Sequence, residues 1–337
     1  MPDTPFIPLA RTVEVTVPAD AAPQLLPEYL AASYNYLDLP QWLEQIERGN
    51  LFVNGVCAGR DTAVAPGDTV FFQARELVEQ AVCWDIGVIA ETPDYIIVNK
   101  PGNLPCHPAG RFFNHTLWAW FRQSRHLDSI HFVNRLDRET SGIVLVGKNP
   151  RFAAEAARYL HARSGAACKE YLVMVHGCVK WKTHFANGFL MPDSRSAVRK
   201  KKCFVPVCNG GDSDVIELPG DPEAVTALTD FEREGSYRCA DERFVPDENG
   251  GFTLLRARLY TGRTHQIRAT LCSLGYPVAG DKLYGLDERL FLKFASSALT
   301  PDDWGRLLMP HQALHACYLS IPALGIEACA PCPWIAG

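Results

Sequence analysis

Residues 134–146 read Asn-Arg-Leu-Asp-Arg-Glu-Thr-Ser-Gly-Ile-Val-Leu-Val, a charged loop that leads directly into an apolar strand. In this loop the carboxylate of Asp137 is flanked by Arg135 and Arg138. Because nearby positive charge favours the ionised form, the sequence predicts a lowered pKa for Asp137. An ionised, oriented carboxylate can act as a nucleophile. Taken alone, however, the segment fits a surface cluster of ion pairs in a turn better than a catalytic site.

Strand patterns lie on both sides of this loop. Apolar or alternating runs predict strands at 95–98, 143–146, 170–176 and 252–260, and apolar periodicity predicts helices at 151–163 and 265–274. Residues 181–250 are predicted to be a loop-rich insertion. Short strands with few helices between them indicate an α+β fold around a central mixed, mainly antiparallel sheet.

The first 80 residues predict a separate small α+β module. A strand at 11–17, two short helices within 24–48, an Asn54-Gly55 turn and a closing strand at 69–73 resemble a small RNA-binding module of ribosomal-protein type. These residues carry four Arg, no Lys and eleven Asp or Glu, a net charge of −7, whereas the whole chain carries −5. The module is therefore open to two interpretations, RNA binding or a degenerate form kept for packing or partner contact. The predicted domains are 1–80 and 81–337.

Composition places the chain among soluble globular proteins, with 47% apolar and 21% charged residues. No apolar run is long enough to span a membrane, and the first ten residues lack the pattern of a signal peptide. The twelve cysteines are scattered, so we expect reduced thiols in the cytoplasm and no metal site. No phosphate-binding or dinucleotide-binding motif is present, and we expect no cofactor.

Three further segments change the interpretation of the Asp137 loop. They are Asn99-Lys100-Pro101-Gly102-Asn103-Leu104, the run 169–177 beginning Lys-Glu-Tyr, and the run 259–268 that reads Leu-Tyr-Thr-Gly-Arg-Thr-His-Gln-Ile-Arg and continues to Tyr284-Gly285. With the Asp137 loop, and in this order, they resemble the RluA family of RNA pseudouridine synthases over roughly residues 85–334. The resemblance implies an isomerase with the pseudouridine-synthase catalytic fold and an RNA substrate, ribosomal or transfer.

The resemblance also assigns roles to individual residues. It makes Asp137 the catalytic carboxylate, Arg268 its basic partner and Tyr171 the aromatic residue that packs on the target uracil. Asn134 departs from the family, which usually has His at this position. Residues expected to contact RNA or to shape the site are Arg135, Arg138, Lys100, His107, Arg263, His265, Arg199, Lys200 and Lys201.

Two other functions remain open at this point. A catalytically silent RNA-binding protein on the same fold would bind structured RNA and leave it unmodified. A hydrolytic nucleosidase or glycosidase would also use a carboxylate at an anomeric carbon, although that class usually needs a second carboxyl group as acid or base. We expect a monomer that has RNA as its partner, without a protein partner and without membrane attachment.

Overall fold

The computed structural model describes residues 6–7, 9, 11–34, 37–74, 79–110, 112–162, 166–207, 222–234, 251–296 and 298–335. The chain divides into two compact units. The first unit combines Met1–Val82 with Leu104–Asp128, and the second unit combines Cys83–Asn103 with Ser129–Gly337. The sequence prediction placed one boundary near residue 80 and did not assign the segment 104–128 to the first unit.

The first unit is built from short strands and three helices. They are β1 (Arg11–Thr16), β2 (Gln24–Leu25), α1 (Leu26–Ser33), α2 (Leu39–Glu47), β3 (Leu51–Val53), β4 (Val56–Cys57), β5 (Ala63–Val64), β6 (Thr69–Ala74) and α3 (Leu117–Ser124). Helix α2 begins with a capping box, in which Asp38 accepts from the backbone N–H of Gln41 and the Gln41 side chain accepts in return. Four strands pair in the order β1-β6-β3-β4, and Trp42 lies in the core beneath them.

Glu79 attaches the segment 104–128 to the rest of the first unit. Its carboxylate accepts hydrogen bonds from the backbone N–H groups of Phe113, Asn114 and His115, at 2.7, 2.8 and 2.9 Å. Hydrogen bonds to a charged acceptor are stronger than those between neutral groups. A carboxylate near the end of the predicted module therefore holds a stretch of chain that the sequence prediction placed in the other domain.

The second unit is dominated by one large sheet. Its strands are β7 (Gly87–Glu91), β8 (Tyr95–Lys100), β9 (His131–Phe132), β10 (Ser141–Gly147), β11 (Cys168–His176), β12 (Thr183–Pro192), β13 (Lys202–Pro206), β14 (Val225–Arg233), β15 (Phe252–Leu259), β16 (Leu314–Ile321) and β17 (Ile326–Cys329). The strand order is β13-β12-β14-β15-β11-β16-β10-β8-β7, with β17 beside β16 and β9 beside β10. Only the β10–β16 pairing is parallel within the described residues, so the sheet is mixed and mainly antiparallel, as predicted.

Within the part of the second unit that the structure describes, four α-helices accompany this sheet: α4 (Pro150–His161), α5 (Gln266–Ser273), α6 (Arg289–Ala295) and α7 (Pro301–Leu307). Helix α4 begins at an Asn149 cap followed directly by Pro150, which favours a helix start. Strand β10 is buried along its whole length, and Ile143 and Leu145 contribute to a core that also includes residues of α4 and β16. Among the described residues, we find no helix whose length and apolar character would suit a bilayer crossing.

The prediction of a loop-rich insertion at 181–250 is wrong for the part of it that is described. Strands β12, β13 and β14 extend the sheet by antiparallel pairing, and β14 connects them to β15. In β12 the residues Asn187, Gly188 and Pro192, which are rare in strands, obscured the strand pattern. Pairing with neighbouring strands overrides this weak local preference. Residues 193–201, which join β12 to β13, are called the basic loop below.

Candidate active site

Asp137 lies in the loop between β9 and β10, and Asn134 fixes that loop. The Asn134 side chain donates to the carbonyl of Ile143 at 3.0 Å and accepts from the N–H of Leu145 at 2.8 Å. It therefore bonds to β10 as a neighbouring strand would, three residues before Asp137. The N–H of Thr140 closes the turn by donating to the carbonyl of Asp137 at 3.1 Å. Asn134, which stands where the family usually has His, therefore anchors the loop to β10.

A guanidinium and a second carboxylate hold Asp137. Arg268, on α5, donates from Nη1 to Oδ2 of Asp137 at 2.6 Å. The same guanidinium donates from Nε and Nη2 to the two oxygens of Asp281, at 2.6 and 2.9 Å. Asp281 is fully buried and also accepts from the N–H groups of Leu283 and Tyr284. The bidentate pair fixes the plane of the guanidinium and so directs Nη1 at Asp137.

The electrostatics of this cluster favour an ionised Asp137. Burial alone would raise the pKa of Asp137, but the charge of Arg268 and its hydrogen bond outweigh burial and hold the pKa below its ordinary value. Burial likewise opposes the charge on Arg268, but Asp281 and then Asp137 raise its pKa above the ordinary value. The sequence predicted the lowered pKa of Asp137 from Arg135 and Arg138, whereas the structure attributes it to Arg268.

His265 lies on the other side of the Asp137 carboxylate. Its Nε2 is 3.9 Å from Oδ1 of Asp137, and its Nδ1 is 3.0 Å from the hydroxyl of Tyr284. Burial first, and then the charge of Arg268, lowers the pKa of His265 to about 4. The imidazole is therefore neutral near pH 7. Both roles predicted for His265, shaping of the site and RNA contact, remain predictions.

Tyr171 lies in the centre of the sheet, on β11. It is paired with Ala257 of β15 on one side and with Ala316 of β16 on the other. Ala316 is paired in turn with Gly142, at the start of β10. Tyr171 is therefore two strands from the point where the Asp137 loop enters the sheet. It is 9% exposed. Its role against a uracil remains a prediction.

Two of the predicted RNA-binding lysines have intramolecular partners instead. Lys100 is fully buried, and its ammonium donates to the carbonyls of Pro101 and Arg138 at 2.8 and 3.3 Å. It holds the loop that carries Asp137, so the structure supports loop shaping rather than a phosphate contact. Lys201 pairs with Glu288 at 2.6 Å and its side chain is 14% exposed. This pair attaches the basic loop to the residue before α6.

Helix α6 presents two aromatic rings to cations from three segments. The ammonium of Lys200, in the basic loop, lies 4.2 Å from the ring centre of Phe291. Phe294 lies beneath the guanidinium of Arg138 at 5.2 Å and the ammonium of Lys282 at 4.8 Å. Burial lowers the pKa of Lys200, and Asp137 is among the charges that oppose this. Lys200 therefore lies in the same electrostatic environment as Asp137 and Arg268.

The other predicted RNA contacts lie at the surface or in the first unit. Arg135, Arg199 and Arg263 are exposed, and Arg263 donates to the carbonyl of Thr226 at 3.2 Å. His107 is exposed and belongs to the first unit. RNA binding by these four residues remains a prediction.

Asp281, Tyr284 and Glu288 were not predicted as site residues. Asp281 and Tyr284 occur within the segment that carries the family resemblance, in Gly280-Asp281 and Tyr284-Gly285, so a signal for them was present. Their partners are 13 and 19 residues away in sequence, at Arg268 and His265, and only the folded chain reveals those pairs. Glu288 had no signal at all, because its partner Lys201 is 87 residues away.

The arrangement presents an ionised and oriented carboxylate. Asp137 offers one oxygen held by Arg268 and one oxygen without such a clamp, and its side chain is 31% exposed. A fixed guanidinium that keeps a carboxylate ionised and oriented is preorganisation, and preorganisation supplies much of the rate enhancement in many active sites.

Comparison with known proteins agrees with this chemistry. The family model described as RNA pseudouridylate synthase matches residues 94–273, more than half of the chain. The mitochondrial tRNA pseudouridine(32) synthase of Saccharomyces cerevisiae is 26% identical over 243 residues, which cover 72% of this chain and 46% of the yeast protein. The ribosomal large subunit pseudouridine synthase D of Nitrosomonas europaea is 28% identical over 327 residues, or 92% and 80% of the two chains. This chain thus spans about half of the yeast relative and most of the bacterial one.

Solved structures show the same fold. Human RNA Pseudouridylate Synthase Domain Containing 1 aligns with a TM-score of 0.54 and 23% identity, over 76% of this chain and 87% of the human chain. Human RNA Pseudouridylate Synthase Domain Containing 4 aligns with a TM-score of 0.51 and 20% identity, over 73% and 88%.

Proposed function

Since the chain belongs to the RNA pseudouridylate synthase family, we propose that it isomerises selected uridines of ribosomal or transfer RNA through the carboxylate of Asp137. The observation that carries this proposal is the 2.6 Å contact between Arg268 and Oδ2 of Asp137, which leaves Oδ1 of a carboxylate with a lowered pKa for the substrate. The yeast relative is named for transfer RNA and the Nitrosomonas relative for the large ribosomal subunit, so the names support both classes of RNA.

The reaction is an isomerisation that leaves the composition of the uridine unchanged. The bond from C1′ of the ribose to N1 of uracil breaks, the base turns, and a bond from C1′ to C5 forms. The proton on C5 leaves and N1 gains a proton. Asp137 either attacks C1′ as a nucleophile or removes a sugar proton in an elimination. Both routes need an ionised carboxylate, which the pairing with Arg268 favours.

The uridine has to leave its helix or loop stack before Asp137 can reach its ribose. Flipping costs a few kcal/mol, and this cost is lower in loops than in paired stems. We propose that Arg135, exposed two residues before Asp137, occupies the space that the base leaves. Tyr171 would pack on the extruded uracil, a contact worth about 1–3 kcal/mol for a base on an aromatic ring. The remaining predicted RNA contacts are Arg138, Arg199, Lys200 and Arg263.

We further propose a monomeric enzyme of the cytoplasm. The ten cysteines that lie among the described residues are free thiols, which is usual in a reducing compartment.

Asp137→Asn tests the proposed function. Purified protein is incubated with unmodified transfer and ribosomal RNA transcripts that carry tritium at C5 of uridine, and release of tritium is measured. We expect the wild type to release tritium and the variant to lose more than about 1,000-fold in rate, because the amide is a poor nucleophile and base. Carbodiimide mapping of the product then identifies the modified uridine.

Asp128→Asn is the matched control, because Asp128 is a carboxylate whose side chain is 97% exposed. This variant should keep the wild-type rate, and Asp137→Asn should keep the wild-type circular dichroism. Tight RNA binding by the wild type without tritium release would identify a silent RNA-binding protein. Free uracil in the product would identify a hydrolase. Full activity of Asp137→Asn would refute the assignment of the carboxylate.

A further inference from the structure

A gap of defined size separates two polar atoms at the centre of the site. Nε2 of His265 and Oδ1 of Asp137 are 3.9 Å apart, which is too long for a hydrogen bond between them. Their side chains are 12% and 31% exposed, so the gap is shielded and still accessible. A single oxygen atom with hydrogen bonds of about 2.8 Å to each of them would span it, since two such bonds together exceed the gap.

The hydrogen bonds around Tyr284 determine which nitrogen of His265 carries the proton. Tyr284 is fully buried, and its hydroxyl oxygen accepts from the backbone N–H of Lys202 at 2.9 Å. The buried phenol proton needs an acceptor, and Nδ1 of His265 lies 3.0 Å from the same oxygen. Nδ1 therefore accepts, and the neutral imidazole carries its proton on Nε2. The N–H donor of His265 thus borders the gap.

The backbone and the surrounding charges hold this donor in place. His265 precedes α5 with φ at +59°, a left-handed conformation that is uncommon for residues other than glycine. The charged and titratable groups around its ring are Arg268 on α5, Asp137 in the catalytic loop, Asp281 and Tyr284 before α6, and Lys200 in the basic loop. The imidazole remains neutral in this setting, so it donates one hydrogen bond and adds no charge beside Asp137.

The two sides of the gap require different properties of one atom. Nε2–H needs an acceptor, whereas the carboxylate oxygen of Asp137 needs a donor. A ring oxygen or a uracil carbonyl can only accept, so it would satisfy His265 and be repelled by Asp137. A hydroxyl does both. On a ribose attacked at C1′, the hydroxyl next to the reacting carbon is the 2′-hydroxyl.

We propose that Nε2–H of His265 and Oδ1 of Asp137 together bind the 2′-hydroxyl of the target ribose, with Tyr284 as the positioning residue that keeps the proton on Nε2. This inference rests on the proposed function and extends it to the choice between ribose and deoxyribose. The 2′-hydroxyl, both donor and acceptor, is the group that distinguishes RNA from DNA. A sugar hydroxyl bonded beside the reacting carbon also strengthens its contact as charge develops there.

The test uses two synthetic stem–loop RNAs that span the uridine identified by carbodiimide mapping. One carries ribouridine at that position and the other carries 2′-deoxyuridine, both with tritium at C5, and kcat/KM is measured for each. The measured quantity is the ratio of kcat/KM for ribouridine to kcat/KM for 2′-deoxyuridine. The intrinsic lability of the deoxyribose bond affects this ratio equally in every enzyme variant, so it cancels when variants are compared. For the wild type we expect a ratio of about 100 or more, because rejection leaves a buried donor and a carboxylate unpaired.

Variants separate the two proposed roles. His265→Asn keeps a side chain that tolerates the left-handed backbone, but its amide is too short to reach the gap, and the ratio should fall below about 10. His265→Gln restores an N–H donor of longer reach and should recover part of the ratio. Tyr284→Phe removes the hydroxyl that orients His265 and should lower the ratio several-fold. Tyr276→Phe removes a hydroxyl elsewhere in the second unit and should leave the ratio unchanged.

Two results would overturn the inference: a wild-type ratio near one, or a wild-type ratio retained by His265→Asn. Failure of the proposed function looks different, since the wild type would then release no tritium from either RNA. Circular dichroism shows whether each variant is folded. If His265→Asn does not fold, Tyr284→Phe still tests the inference, because it removes only one oxygen atom.

Discussion

Arg268 connects two carboxylates that play different parts. Asp281 is buried and takes two N–H groups of the guanidinium, whereas Asp137 takes one and remains accessible. Arg268 was predicted from the sequence as the partner of Asp137 by family resemblance. The second pairing could not be predicted from one sequence, because the distance between Arg268 and Asp281 depends on how α5 and the following loop fold back on each other.

The pairing with Arg268 predicts a pH dependence. Burial alone would raise the pKa of Asp137, and Arg268 lowers it below the ordinary value. Activity should therefore be constant from about pH 5 to 8 and should be lost as the pH falls through the pKa of Asp137. In Arg268→Gln the effect of burial on the pKa of Asp137 is no longer opposed by the guanidinium, and the acid limb of kcat/KM should move to higher pH.

The pH profile of tritium release checks this expectation. Arg122→Gln serves as the control, because Arg122 is a surface residue with a 40% exposed side chain. An acid limb at the same pH in Arg268→Gln and the wild type would show that Arg268 does not set the ionisation of Asp137.

At the level of elements, the parallel contact between β10 and β16 depends on one glycine. A Cβ on Gly142 would lie 2.2 Å from the carbonyl oxygen of Ala316, and φ at this position is +111°. Gly142→Ala should therefore lower the free energy of unfolding by about 3 kcal/mol or more, through overpacking and backbone strain. Urea denaturation monitored by fluorescence measures this change.

Gly305→Ala is the matched control within α7. A Cβ on Gly305 meets nothing within 4 Å, and its backbone is helical. Because alanine is the better helix former, this substitution should raise the free energy of unfolding by about 0.5–1 kcal/mol. Equal effects of the two substitutions would mean that the close approach of β10 and β16 is not required.

The strands of the large sheet that the sequence predicted are those with apolar or alternating runs. Strands β8, β10, β11 and β15 and helices α4 and α5 lie close to their predicted positions. Strand β12 was missed because Asn187, Gly188 and Pro192 interrupt its pattern, and strands β12 to β14 are stabilised by pairing with their partner strands. Helices α6 and α7 are seven residues each, too short for periodicity to identify.

At the level of the whole molecule, the net charge of the N-terminal part differs from that of the rest of the chain. The first 80 residues carry a net charge of −7 and the whole chain carries −5, so we expect residues 1–80 to contribute little to RNA affinity. The double variant Glu44→Lys and Glu47→Lys tests this at the end of α2, where positive charge suits the helix dipole. Filter binding over a range of salt concentrations should give an unchanged affinity and salt slope.

If the first unit contacts RNA at this surface, the two new lysines should instead tighten binding and increase the salt slope by up to about 2. Deleting residues 1–80 would answer the question less clearly. That deletion also removes Glu79, whose carboxylate binds three backbone N–H groups of the segment 104–128.

The chain passes from the first unit to the second after residue 82, returns at 104 and leaves again after 128. During synthesis, therefore, the first unit cannot be completed until part of the second has already emerged from the ribosome. A recombination event with a single breakpoint could not exchange it for another module. Its inheritance is therefore tied to that of the large sheet in the second unit.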